Sequence, residues 1–157
     1  MQTGTTPRYR IYVREVPDER IASVRSETSR DSVGDAIQAA FGTLGRAIGA
    51  AGAFGDGPPG LIIHAMTDAG MTLEVFMPVA NEFEAPRGVT IRTLDGGLVA
   101  TTMHEGPYDE VGAAYSAITA WIADHRKVST GPPRERYLND PHASGETART
   151  RVEFPIA

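Results

Sequence analysis

No cysteine occurs in the 157 residues, which removes disulfides, thiolate metal ligands and cysteine nucleophiles together. The absence fits a reducing compartment, and cytoplasmic localisation is the expectation. No apolar run approaches the roughly 18 residues a membrane-spanning helix needs, so no membrane role is expected. The opening segment MQTGTTPRYR lacks the apolar stretch of a secretory signal. Clustered basic charge is missing too. The net charge is -5 and the basic residues, mostly arginine, are scattered, which argues against direct nucleic-acid binding by this chain. His64, His104, His125 and His142 lie far apart with no H-x-x-x-H or H-E-x-x-H spacing, so no metal site is expected. No G-x-G-x-x-G, Walker or G-x-S-x-G pattern occurs, which leaves no support for a nucleotide cofactor, or any other, or for a serine-hydrolase elbow.

What is present is an ordinary globular composition, 41% hydrophobic and 22% charged, in a length that suits one domain or two small modules sharing a core. The sequence also repeats itself. VREVPDERIASVR from Val13 aligns without gaps on IRTLDGGLVATTM from Ile91, an offset of 91 - 13 = 78. Arg14 meets Arg92, Val16 meets Leu94, Ile21 meets Val99 and Ala22 meets Ala100. The same offset carries Val33, Gly34, Ala36 and Ala39 onto Val111, Gly112, Ala114 and Ala117. Further on, Gly57-Pro58-Pro59 answers Gly131-Pro132-Pro133, and EVFMPVA ending at Ala80 answers RVEFPIA ending at Ala157.

Each repeat reads as ββαββ. Residues 8–16 and 19–27 are strand-like runs around a Pro17-Asp18 turn, and Val89–Leu94 and Leu98–His104 flank Asp95-Gly96-Gly97, a hairpin signal. A helix follows in each half. Asp31 or Ser32 can cap the first, with Val33, Ile37, Ala40, Phe41, Leu44 and Ile48 at helical spacing. Pro107 suits the first turn of the second, whose stripe is Val111, Tyr115, Ile118 and Ile122. Leu61–Met66 with Thr72–Pro78, and Glu135–Leu138 with Thr150–Pro155, close the halves. One such unit covers too little sheet to be stable alone. The fold expected is therefore α+β, two tandem ββαββ units forming one antiparallel sheet of about eight strands. Two main helices lie on one face, with a ligand cleft at the pseudo-two-fold seam. The organisation expected is a single domain over 8–157, with pseudo-repeats 8–80 and 89–157 and a flexible segment at 1–7. Met1 favours a complete stand-alone protein.

HEGPYDEVGAAYSAITAWI, GPPRERYLNDP and TRVEFPIA, in that order, resemble the GyrI-like family of effector-binding domains. The family includes ligand-sensing domains of AraC- and MerR-type multidrug regulators and their stand-alone relatives. The resemblance covers about Tyr9 to Ala157 and implies a duplicated two-helix α+β fold. It also implies a pocket at the seam whose buried glutamate, in a Gly-Pro-x-x-Glu-x-Tyr motif, falls here at Glu135. Relatives often carry an aromatic residue at the position of Ile63, so the first-half side of the pocket is expected to be less aromatic.

On the bare sequence, Glu135 reads as a solvated strand carboxylate balanced by Arg134 and Arg136; the motif moves it into the pocket. Tyr137, two residues on, shares its strand face. Tyr108 and Tyr115, seven residues apart, share a helix face, Tyr115 either as core or as pocket wall. Trp121 lies beside Ile118 on the helical wheel and reads first as core. Phe154 and Phe76, from the closing strands, are candidate walls.

The function expected is stand-alone binding or sequestration of lipophilic, in part cationic, organic compounds, in transcription regulation or in drug and toxin resistance. A carboxylate among aromatic walls suits such ligands. No catalytic residue is assigned. The resemblance also implies two alternatives: hydrolysis of electrophilic cyclopropane-type toxins with Glu135 as general base, and a gyrase-inhibitor-like interaction using acids such as Asp109, Glu110, Asp140 and Glu146. A regulator chain or gyrase is the partner in those readings; oligomeric state is left open.

Overall fold

The elements follow the order that the repeat predicts. The computed structural model describes residues 9–157, and the expected flexible segment 1–7 lies outside the described residues. The first half consists of β1 (Tyr12–Val16), β2 (Glu19–Thr28), α1 (Val33–Ala51), β3 (Gly60–Thr67) and β4 (Gly70–Pro78). The second has β5 (Thr90–Leu94), β6 (Gly97–Glu105), α2 (Gly112–Asp124), β7 (Arg134–Tyr137), the short α3 (Pro141–Ser144) and β8 (Arg149–Pro155). The eight strands form one antiparallel sheet in the order β1-β6-β8-β7-β3-β4-β2-β5.

Helical spacing decides which side chains reach the sheet. On α1, Ala40, Leu44 and Ile48 are buried at four-residue intervals; on α2, Ala114, Ile118 and Ile122 repeat the pattern. Each fully buried aliphatic side chain contributes about 1.5–3 kcal/mol of burial. Gly52 stops α1 in the left-handed conformation, φ 62°, which a glycine adopts without a Cβ penalty. Ser32 stands at the N-cap of α1, but its side chain makes no capping bond. Pro107 precedes a 3₁₀ turn, Tyr108–Glu110, rather than the α-helix itself, so Tyr108 sits outside α2.

One sequence expectation is corrected. Asp95-Gly96-Gly97 does not join a hairpin: β5 pairs with β2 and β6 pairs with β1, so the two halves exchange their first strands. The two connections cross at the pseudo-two-fold axis. The Gly96 amide donates to Asp18 Oδ1 at 2.7 Å, and these two residues are counterparts at the offset of 78. A Cβ on Gly96 would collide with the Val16 carbonyl oxygen and lie 2.5 Å from the Pro17 carbonyl carbon. Glycine is needed here for close backbone approach, and that need produces the hairpin-like signature.

The helices pack mainly on the outer strands, α1 on β2 and β4, α2 on β6 and β8. The central pair β3–β7 is left between them as a floor. Its register sets Gly60 opposite Arg136, Leu61 opposite Glu135 and Ile62 opposite Arg134. Opposed residues point to the same side of a sheet. On the helix side one row therefore runs Val152, Glu135, Leu61, Val75, Val24. The other side carries a smaller core of Ile21, Ile62, Phe76 and Leu94.

Candidate functional site

Within that row of aliphatic neighbours, Glu135 is the one ionisable residue. It is 7% exposed, and its carboxylate accepts two hydrogen bonds from phenols. Tyr115 Oη donates to Oε2 at 2.6 Å from α2, and Tyr137 Oη donates to Oε1 at 2.9 Å from two residues along β7. Strand alternation delivers Tyr137 and helical placement delivers Tyr115, so each donor comes from a rigid element.

The two arginines that flank Glu135 in sequence leave it. Strand alternation sends Arg134 and Arg136 to the opposite face, where Arg134 Nε donates to Glu153 Oε1 at 2.9 Å and Arg136 Nη1 pairs with Glu19 Oε1 at 2.7 Å. The Arg136 guanidinium also lies 4.8 Å over the Phe76 ring. Among the described residues no Lys, Arg or His forms a salt bridge with Glu135. Its side-chain partners are two phenols, both of which donate to it.

Aromatic rings complete the surroundings. Tyr108 packs edge-on against Tyr137 with centroids 5.6 Å apart, Phe41 of α1 meets Tyr137 at 6.2 Å, and Phe154 meets Tyr115 at 5.7 Å. These T-shaped contacts tie both halves of the chain to one cluster. Burial pushes the Tyr115 and Tyr137 hydroxyls well above the ordinary phenol range, and the neighbouring Glu135 charge and hydrogen bond push further the same way. Tyr108 is raised by burial first and then by the Asp140 and Glu135 charges, although 48% of the residue is exposed. The phenols stay protonated donors.

Glu135, Tyr115, Tyr137, Tyr108 and Phe154 therefore come together. Ile63 lies on the helix side at the margin of the first-half core, together with Leu61. Trp121 packs at the edge of the second-half core and stacks on His125 at 4.1 Å, with no ring contact to the Glu135 cluster. Phe76, wholly buried, belongs to the opposite face. Phe41 is the cluster member that sequence reasoning assigned only to a helix stripe; its distinguishing contact is with a ring 96 residues away. His104 holds the chain entry, bonded to the Tyr9 hydroxyl at 2.8 Å and the Pro107 carbonyl at 2.9 Å.

The profile of the GyrI-like small molecule binding domain matches residues 9–157. The chain belongs to this family. The same fold recurs in solved structures. The C-terminal domain of EcmrR superposes on the GyrI-like chain with a TM-score of 0.84 at 20% identity, covering 96% of this chain and 98% of that one. Against the EcmrR chain in its DNA complex the TM-score is 0.83 at 20% identity, with 94% of this chain covered but only 57% of that chain. A hydrolase from Listeria innocua matches with TM-score 0.65 at 16% identity, covering 98% and 94% of the two chains. SAV2435, solved bound to tetraphenylphosphonium, matches with TM-score 0.68 at 12% identity and 94% coverage of both. No sequence among the curated proteins matches the chain. At these identities the structural likeness speaks for the GyrI-like fold. Among the described residues no helix is long and apolar enough to cross a membrane.

Proposed function

We propose that this GyrI-like domain binds lipophilic organic cations in the cleft between α1 and α2, with the cationic group facing Glu135. The observation that carries the reading is a buried carboxylate held by two phenols with no basic partner among the described residues. Such a group attracts a weakly hydrated cation strongly, and the rings of Tyr108, Tyr115, Tyr137, Phe41 and Phe154 offer π faces to it. An inorganic cation would lose too much hydration here, whereas a delocalised one loses little. The solved complex of SAV2435 with tetraphenylphosphonium is consistent with this ligand class. The cellular role is sensing for a regulator or sequestration in drug and toxin resistance. The EcmrR likeness favours sensing, with DNA contact supplied outside this acidic domain. The absence of cysteine fits a cytoplasmic setting.

The test pairs two isosteres of opposite charge. Tetraphenylphosphonium should raise the melting temperature and tetraphenylborate should not, and Glu135→Gln should abolish the difference. Equal shifts from both ions would overturn the charge-based reading. A saturating ligand at 100 times its Kd adds about 2.7 kcal/mol to apparent stability, a shift well within reach of the method.

Hydrolysis is the second reading, favoured by the fixed Tyr115–Glu135–Tyr137 geometry and by the fold shared with the Listeria hydrolase. Glu135 would take a proton from water as the water oxygen bonds to a strained ring carbon; the ring C–C bond breaks, and Glu135 returns the proton to the carbon that leaves with the electron pair. Catalytic turnover of a strained electrophile, lost in Glu135→Gln, would select this reading over simple binding.

A further inference from the structure

The helix side of the central strands β3 and β7 is chemically one-sided, and the repeat shows how. On the helices, the offset of 78 carries the buried pair Ala40 and Leu44 onto the buried pair Ile118 and Ile122, and it carries Ile37 onto Tyr115. On the floor, the Gly-Pro-Pro match fixes an offset of 131 - 57 = 74, which carries Leu61 onto Glu135 and Ile63 onto Tyr137. The register bears this out in space. The counterparts of Gly60 and Ile62 are Arg134 and Arg136, and the pairs formed are Gly60 with Arg136 and Ile62 with Arg134. That swap is what a two-fold axis requires, and the axis passes between Leu61 and Glu135. The triad of Glu135, Tyr115 and Tyr137 thus has a mirror set, Leu61, Ile37 and Ile63, and all three of those are aliphatic members of the first-half core.

The mirror set stays within reach of the polar one. Phe41, one turn on from Ile37 in α1, brings its ring within 6.2 Å of Tyr137. Leu61 is 4% exposed at the axis, while Ile37 and Ile63 are only partly buried and offer apolar surface for a ligand to cover.

Resting on the cation-binding reading, we propose that Ile37, Leu61 and Ile63 make the cleft selective for monocations with one apolar arm, the charged end at Glu135 and the arm on this aliphatic side. Covering the two isoleucines removes apolar area from water on both partners. A second charge at the far end of the ligand would meet hydrocarbon, with its lost hydration uncompensated. The discrimination against dications comes from that unpaired charge rather than from any loss of attraction at Glu135.

The matched probes are benzyltriethylammonium and p-xylylene-bis(triethylammonium), titrated calorimetrically into the whole chain, with tetraphenylphosphonium as reference. The monocation should bind at least about tenfold more tightly. Ile63→Glu, at a partly exposed position that tolerates charge better than Leu61, should bring the dication level with the monocation or past it. Ile37→Ser should weaken the monocation several-fold and narrow its margin over the dication. A dication bound by the wild type as tightly as the monocation, or a ratio unmoved by Ile63→Glu in a variant whose circular dichroism is native, would overturn this selectivity alone. Failure of all three cations to bind would overturn the underlying reading and this inference with it.

Discussion

The hydroxyl of Tyr115 on α2 meets Glu135 of β7 at 2.6 Å, the shorter of the two phenol contacts that hold this carboxylate. The bond crosses from helix to sheet, so it is both a site contact and a packing contact. Tyr115→Phe removes the donor without changing the ring. It leaves one carboxylate oxygen short of a partner in a buried setting, which costs about 1–3 kcal/mol. Urea denaturation should show that loss, and Tyr137→Phe should show a comparable one. A double variant costing much less than the sum would mark the two phenols as a coupled pair.

Glu135→Gln should separate stability from binding. Removing a buried charge that has no basic partner relieves its desolvation, so the unliganded variant should melt at or above the wild-type temperature. The stabilisation conferred by tetraphenylphosphonium should disappear. A variant that melts well below the wild type would show instead that the carboxylate is needed to hold the two tyrosines.

The raised phenols predict alkaline behaviour. A group whose native pKa lies above its unfolded value stabilises the fold below the unfolded pKa and withdraws that stability as pH rises. For Tyr115 and Tyr137 the loss begins above the ordinary phenol value of 10.0. Absorbance at about 295 nm should show two of the five tyrosines ionising only with unfolding, because phenolate next to Glu135 is doubly disfavoured.

The opposite face predicts acid behaviour of the opposite sign. Burial alone would raise Glu74, but hydrogen bonds from Arg92, Ser23 and His64 and the Arg92 charge win, and hold it at about 2 against an ordinary 4.5. Arg92 contributes a bidentate pair, Nε to Oε2 and Nη2 to Oε1, both 2.8 Å. Glu153, where burial also opposes, is lowered by Arg136, Arg134 and Arg151. Both carboxylates therefore stabilise the fold above the ordinary value of 4.5; the Glu74 contribution drains as pH falls toward 2, and that of Glu153 drains as pH falls below 4.5. Each group accounts for at most about 1.4 kcal/mol per pH unit. Glu153→Ala, which strands buried arginines, should cost about 3–5 kcal/mol at neutral pH.

Gly96→Ala tests the strand crossing. The added methyl meets the Val16 carbonyl oxygen, so the connections must move apart, at a cost of about 1–3 kcal/mol. Gly97→Ala is a useful contrast: no atom of the described residues would stand within 4 Å of an added Cβ, but φ is 126°, so its penalty is conformational rather than steric.

Much of this architecture is legible in the residues, because the repeat fixes element order and the Gly-Pro-x-x-Glu-x-Tyr text singles out Glu135. What the residues conceal is pairing. Arg134 and Arg136 look like counter-ions of Glu135 in sequence, yet alternation turns them to Glu153 and Glu19, which lie far from it along the chain. Phe76 escapes assignment for a related reason. In Leu73, Glu74, Val75 and Phe76 both faces of β4 are buried, so the period-two signal that would tell its sides apart is silent. Tyr108 shares the spacing of a helix face with Tyr115, but Pro107 initiates a 3₁₀ turn first, and the ring reaches Tyr137 from there.

The exchange of first strands has a consequence for how this protein can fold. Neither repeat can finish its own sheet: β2 waits for β5, and β6 needs β1, which precedes it by about eighty residues. An N-terminal half emerging from the ribosome therefore carries unpaired strand edges at β1 and β2 until β5 and β6, the first two strands of the second half, have been made. Contacts so distant along the chain make for slow, all-or-none folding rather than assembly half by half. They also describe a chain that, cut in the Ala80–Gly88 linker, should still be held together as two interlocked pieces by the β1–β6 and β2–β5 pairings.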